Sequence, residues 1–114
     1  ADVPEISFPE ILPGHRYVVH QYVLHFDGSA FGKNRNDLLD LVTATYGVRA
    51  IVQYHPLYRY PLFQKLGAGE HNTPVLDDWW DNSFSLPWWC GISDEELAIM
   101  TDAIRDAIAE LKAA

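Results

Sequence analysis

The segment Gly47 to Phe63, GVRAIVQYHPLYRYPLF, gathers the side chains of this chain best suited to chemistry. Tyr54, His55, Tyr58 and Arg59 crowd around Pro56. The proline biases His55 to an extended backbone, and alternate side chains then splay in different directions. Gln53, Tyr54, Tyr58 and Arg59 offer hydrogen bonds and one permanent positive charge. That set suits a sugar hydroxyl, a phosphate or a carboxylate. The same residues would serve equally as an aromatic turn packed on a sheet.

Other chemistry-bearing residues are more scattered. His20 and His25 lie five apart on a predicted strand, so they point to opposite faces and cannot share a metal ion. His15, His55 and His71 sit on separate segments, and no H-E-x-x-H or C-x-x-C spacing is present. No metal site is expected. Cys90 lies just before a predicted helix start, which favours thiolate. A single cysteine is nonetheless more often an inert apolar residue. Gly28 to Lys33 precedes a predicted helix and is not a P-loop, because its Gly and Lys spacing is wrong. It reads as a connection in which Lys33 and Arg35 leave anion binding open. Asp77, Asp78 and Asp81 flank the first Trp pair and read as the solvated face of a short helix.

These residues need elements to hold them. Residues 1–15, with Pro4, Pro9, Pro13 and Gly14, read as an extended lead-in without an element of its own. RYVVHQYVLHF, residues 16–26, predicts a strand with Val18, His20, Tyr22, Leu24 and Phe26 on one face. Apolar spacing predicts a helix from Arg35 to Tyr46, with Gly47 at its C-terminal cap. A second strand is expected over Val48 to Tyr54, and one helical turn over Pro61 to Leu66. Thr73-Pro74 signals a helix start running through Trp80 or Asn82. A third strand is expected over Phe84 to Trp88. Ser93 with Glu96 forms a capping box for a last helix, along which Leu97, Met100, Ile104, Ile108 and Leu111 recur at helical spacing. The order predicts an α/β or α+β domain. Its sheet is small, about three strands and mostly antiparallel, packed by two longer helices and short helical turns.

Composition narrows the function classes. With 114 residues the chain is one domain at most. Its net charge of -8 argues against nucleic acid, which needs a basic stripe. No apolar run approaches the roughly 20 residues of a membrane span, and no signal-peptide pattern opens the chain. A lone Cys90 fits a reducing, cytoplasmic setting.

In combination the motifs resemble a known family. His20-Gln21-Tyr22-Val23, Arg35 to Leu38, Gly47-Val48, Gln53 to Tyr58, Pro61-Leu62-Phe63, Pro74 to Ser85-Leu86-Pro87, and Ile92-Ser93 to Glu96 follow one another in an order similar to the C-terminal small domain of DegT/DnrJ-type sugar aminotransferases. The resemblance spans roughly residues 16–112. The family pattern has histidines where this chain has Gln53 and Tyr58, which argues against proton transfer there.

The resemblance implies a fold type I enzyme using pyridoxal 5'-phosphate. Its Schiff-base lysine and the aspartate facing the pyridine nitrogen would lie in a separate large domain. It implies amino transfer, usually from glutamate, to a keto-sugar nucleotide at the interface of a homodimer. The small domain, residues 16–114, would close over that site and have no transaminase activity alone. His20, Tyr22, Gln53, Tyr54, His55, Tyr58 and Arg59 are the expected substrate-facing residues. Lys33, Lys65 and Lys112 are the only lysines, and none has the setting of a Schiff-base lysine. Two other readings stand beside this one: a stand-alone interaction or small-molecule-binding module of the same fold, and a sugar dehydratase of the same family. A face built for the large domain would expose apolar surface, to which the Trp pairs and the aromatic corner would contribute.

Overall fold

The computed structural model describes residues 3–69 and 71–114. Three antiparallel strands form one sheet in the order β1 (Ile6–Ser7), β2 (Tyr22–Phe26), β3 (Ser83–Leu86). Among the described residues, four α-helices accompany it, α1 (Arg35–Tyr46), α2 (Pro61–Lys65), α3 (Pro74–Asn82) and α4 (Asp94–Ala113), with two short 3-10 turns. The expected small antiparallel sheet with two longer helices and short helical turns is what forms.

Register decides which side chains meet. Tyr22 faces Leu86 and Leu24 faces Phe84 across β2 and β3. Strand alternation therefore sends Leu24, Phe26, Phe84 and Leu86 to one side of the sheet. There they pack with Leu38 and Val42 of α1 and with Met100, Ile104, Ile108 and Leu111 of α4. Phe26, Leu38 and Val42 are wholly buried. Each such side chain contributes roughly 1.5–3 kcal/mol on leaving water.

The helices of this core have well-defined ends. Asn34 caps α1 by accepting from the amides of Asn36 and Asp37, and Asp37 accepts in return from the Asn34 amide at 2.7 Å. Gly47 stops the helix in the left-handed region, φ 69°. Ser93 and Glu96 form the expected box ahead of α4. Thr73 occupies the cap position of α3 but makes no side-chain capping bond, so Pro74 alone carries that start.

Two strand expectations are corrected. The strand predicted over residues 16–26 is regular only from Tyr22. Its partner β1 is two residues long and reaches only His25 and Phe26, so residues 16–21 find no ladder. That partner lies inside the lead-in, which thus does supply an element. The strand predicted over Val48 to Tyr54 reduces to one bridge, Ile51 opposite Ser85. β3 ends after four residues, ahead of Pro87, leaving a short outer edge to pair with.

The chain is more extended than a self-contained domain. Its radius of gyration is 16.0 Å, against about 13 Å for a compact domain of this length. Phe8, Ile11, Leu12, Tyr17 and Val18 along the lead-in and the unpaired stretch are exposed. No helix among the described residues is long and apolar enough to cross a membrane.

Candidate functional site

The corner is built on α3 rather than on a strand. Asp77, Trp80 and Asp81 stand at i, i+3 and i+4, on one face of that helix. Each holds part of the corner. The Tyr58 hydroxyl and Arg59 Nη2 both donate to Asp77 Oδ1. Arg59 Nη1 donates to Asp81 Oδ1 at 2.8 Å. The His55 ring meets Trp80 edge-on at 5.1 Å and Tyr60 at 4.8 Å. The opposite side of α3 lies on the sheet, where Trp79 stacks on His25 at 5.7 Å and Asp78 stands 3.6 Å from His25 Nε2.

Electrostatics follow this geometry. The Tyr58 hydroxyl, then Arg59, hold the Asp77 carboxyl below the usual aspartate range. Asp81 first, and Asp77 second, raise the Arg59 guanidinium above its ordinary value. The expectation that Asp77 and Asp81 form a merely solvated face is thereby corrected, since both carboxylates are engaged by the corner. The charge of Arg59 faces α3, balanced by two acids. Asp77 and Asp81 lie four apart, and that spacing was the signal in the sequence that both could reach one partner.

At the other end of the corner, Gln21 Nε2 donates to Gln53 Oε1 and to the Tyr54 hydroxyl oxygen, the latter at 3.1 Å. Gln21 was absent from the expected site. It lies just ahead of the regular part of β2, where its side chain meets Gln53 and Tyr54. Tyr22 points to the opposite side, where it stacks on Trp88 at 5.9 Å and meets Phe8 edge-on at 5.8 Å. There Tyr22, Leu86 and Thr101 line two adjoining cavities of about 330 and 270 Å³ against α4. His20 is exposed on the approach to β2. The structure therefore joins Gln53, Tyr54, His55, Tyr58 and Arg59 into one corner, and it does not bring Tyr22 to it. Tyr54 is the most open of these residues, 71% exposed.

Arg35 cannot serve an anion. It is buried, and Nη1 donates to the Trp80 carbonyl and, at 3.0 Å, to the Ser83 carbonyl. Burial lowers its pKa from the ordinary arginine value. It closes the C-terminal end of α3, whose last carbonyls lack helical partners. Its guanidinium also lies 5.6 Å from the Trp80 ring centroid. The loop before α1 is closed likewise. Lys33 N donates to Gly28 O at 3.1 Å, and a Cβ on Gly28 would stand 2.6 Å from Lys33 O. With Asn34 and Asp37 already on the first amides of α1, no cradle for a phosphate remains there.

Cys90 is exposed in a turn. Among the described residues, no group of three or more His, Cys, Asp or Glu is placed to hold a metal ion. Of the four tryptophans, Trp79, Trp88 and Trp89 are exposed, together with Tyr54, Leu57, Tyr60, Leu62 and Leu66 of the corner and α2. The Trp pairs and the corner do expose apolar surface.

Comparison with known proteins gives this geometry a setting. The chain is 25% identical over 107 residues to the spore coat polysaccharide biosynthesis protein SpsC of Bacillus subtilis, covering 93% of this chain and 28% of SpsC. It thus spans under a third of that relative's length. Its fold matches part of the "putative sugar aminotransferase" Spr1654 of Streptococcus pneumoniae, solved in its PMP form, with a TM-score of 0.66 and 22% identity over 81% of this chain and 23% of that one. The family model of the DegT/DnrJ/EryC1/StrS aminotransferases matches residues 1–105, which brings the lead-in and β1 within the family pattern. The chain belongs to the DegT/DnrJ/EryC1/StrS aminotransferase family.

Proposed function

We propose that this chain is the C-terminal small domain of a pyridoxal-phosphate-dependent sugar aminotransferase, and that its corner covers the substrate site. One observation carries this reading: a match to the family along nearly the whole chain that accounts for only 28% of a relative's length. The parent enzyme would pass an amino group from an amino acid, glutamate first among candidates, to a keto-sugar nucleotide, working as a cytoplasmic homodimer.

The residues present do not fit the cofactor itself. Lys112 pairs with Glu5 at 2.5 Å, Lys65 ends α2, and Lys33 lies in the closed loop before α1. Asp77 and Asp81 are held by Arg59. Pyridoxal phosphate would therefore be bound by a large domain outside this chain, and no step through it is assigned to these residues. What the corner supplies is a cover. Tyr54 presents a hydroxyl to solvent, Gln21, itself bonded to Gln53, fixes its direction, and the exposed aromatic surface would exclude water once docked.

The test is to express the protein from its complete reading frame, supply pyridoxal phosphate, and record the absorption spectrum. A Schiff-base band that L-glutamate converts is the expected result. A full-length protein that takes up no cofactor overturns the reading and favours a binding module of the same fold.

A further inference from the structure

We infer that Asp77 and Asp81 of α3 are positioning residues for the substrate-facing corner, acting through Tyr58 and Arg59, and that they leave it a face with no free cation, which selects neutral hydroxyl groups over anions. The inference rests on the reading that the corner faces substrate.

Residues 52–56 and 60 lie outside any helix or ladder, so side chains must fix them. The anchors fall on one helix face: Asp77 takes Tyr58 and Arg59, Trp80 takes His55, and Asp81 takes Arg59 again. Asp77 and Asp81 are one helical turn apart, so the flat guanidinium reaches both at once, with Nη1 on Asp81 and Nη2 on Asp77. Trp80 is fixed in turn, because Arg35 bonds its carbonyl and covers its ring.

A lone arginine in such a corner would draw phosphate or carboxylate. Here two carboxylates share it, so the pair of contacts cancels the cation and leaves an excess of negative charge. The groups left to a ligand are neutral. Gln21 Nε2 is directed at Gln53 Oε1 and Tyr54 Oη. That leaves Gln21 Oε1 as an acceptor, and Gln53 Nε2 and the Tyr54 O–H as donors. Donors and an acceptor side by side match hydroxyls, each of which both gives and takes a hydrogen bond.

The experiment uses the full-length protein with L-glutamate as donor and keto-sugar nucleotides as acceptors. It compares wild type, Asp77→Asn, Asp81→Asn, the double variant, and Asp77→Glu with Asp81→Glu. The double variant is expected to raise the acceptor KM about tenfold, well beyond any change in the glutamate KM, and each single variant less. The Glu variants, which keep the charge, should recover most of that loss. Inorganic phosphate should inhibit the double variant competitively against acceptor at concentrations that leave wild type untouched. Hydrogen exchange over residues 54–60 provides a readout independent of turnover and should speed up in the Asn variants. Faster exchange with no change in acceptor KM or phosphate inhibition overturns the inference and leaves the domain assignment standing. Unchanged exchange in the double variant also overturns it. A wild-type protein without a cofactor band overturns the domain assignment instead, and the inference falls with it.

Discussion

The two halves of this molecule are held together by different means. In one half, β2, β3, α1 and α4 enclose a continuous apolar core from Leu24 to Leu111. In the other, residues 52–69 and α3 are held by hydrogen bonds and ring contacts from individual side chains, with Leu57, Leu62 and Leu66 left exposed. The first half is stabilised by burial, which is non-directional and tolerates small shifts. The second is stabilised by directional bonds, which fix side-chain orientation and contribute less energy. A scaffold needs the former. A surface that must present a hydroxyl in one direction to another domain needs the latter.

Four measurements would break or sharpen this contrast. The largest effect belongs to the core: Phe26→Ala should cost about 3–5 kcal/mol in denaturant unfolding, through lost burial and the cavity left behind. A loss below 1 kcal/mol would mean that the sheet and helices do not form one core. Next is the junction between the halves. Arg35→Met leaves the Trp80 and Ser83 carbonyls unpaired and should cost roughly 2–3 kcal/mol, with changed Trp fluorescence because Trp80 loses its cover. If stability falls but the fluorescence stays as in wild type, Arg35 does not couple α3 to the core.

The corner itself should respond to acid. Because the Asp77 pKa is lowered in the folded protein, the stabilisation it brings is complete above the ordinary aspartate value of about 3.9 and is lost as pH falls through the lower folded value. Tyrosine and tryptophan signals from the corner should hold steady from pH 7 to 5 and change below about 3.9, and Asp77→Asn should remove that step. A step that persists in Asp77→Asn would remove Asp77 as its source. The smallest effect on stability is expected at the open end. Tyr54→Ala should change unfolding free energy by less than about 0.5 kcal/mol. The proposed function assigns it a raised acceptor KM, so an unaltered KM would remove Tyr54 from the site.

What could be read from the sequence divides along the same line. α1 was expected from Arg35 to Tyr46 and occurs there, because its apolar stripe and Gly47 are local signals. α4 follows from Ser93 and Glu96 for the same reason. β1 was not foreseen, since two residues carry no period and become a strand only opposite His25 and Phe26. The strand expected over Val48 to Tyr54 had the right composition but too short a partner. In the corner the residue types were legible and their partners were not. Arg59 meets acids 18 and 22 positions away, and Gln21 reaches Gln53 across 32. The packing of α3 between sheet and corner brings Arg59 to its acids, and the approach to β2 brings Gln21 to Gln53.

The ion pair between Glu5 and Lys112, 2.5 Å apart, has a use in protein engineering. It places the two ends of the fold side by side, with Lys112 holding the Glu5 carboxyl below its usual range. Lys112→Glu would set like charges against each other there and release the lead-in from the end of α4, a handle on one edge of the sheet that leaves the corner untouched.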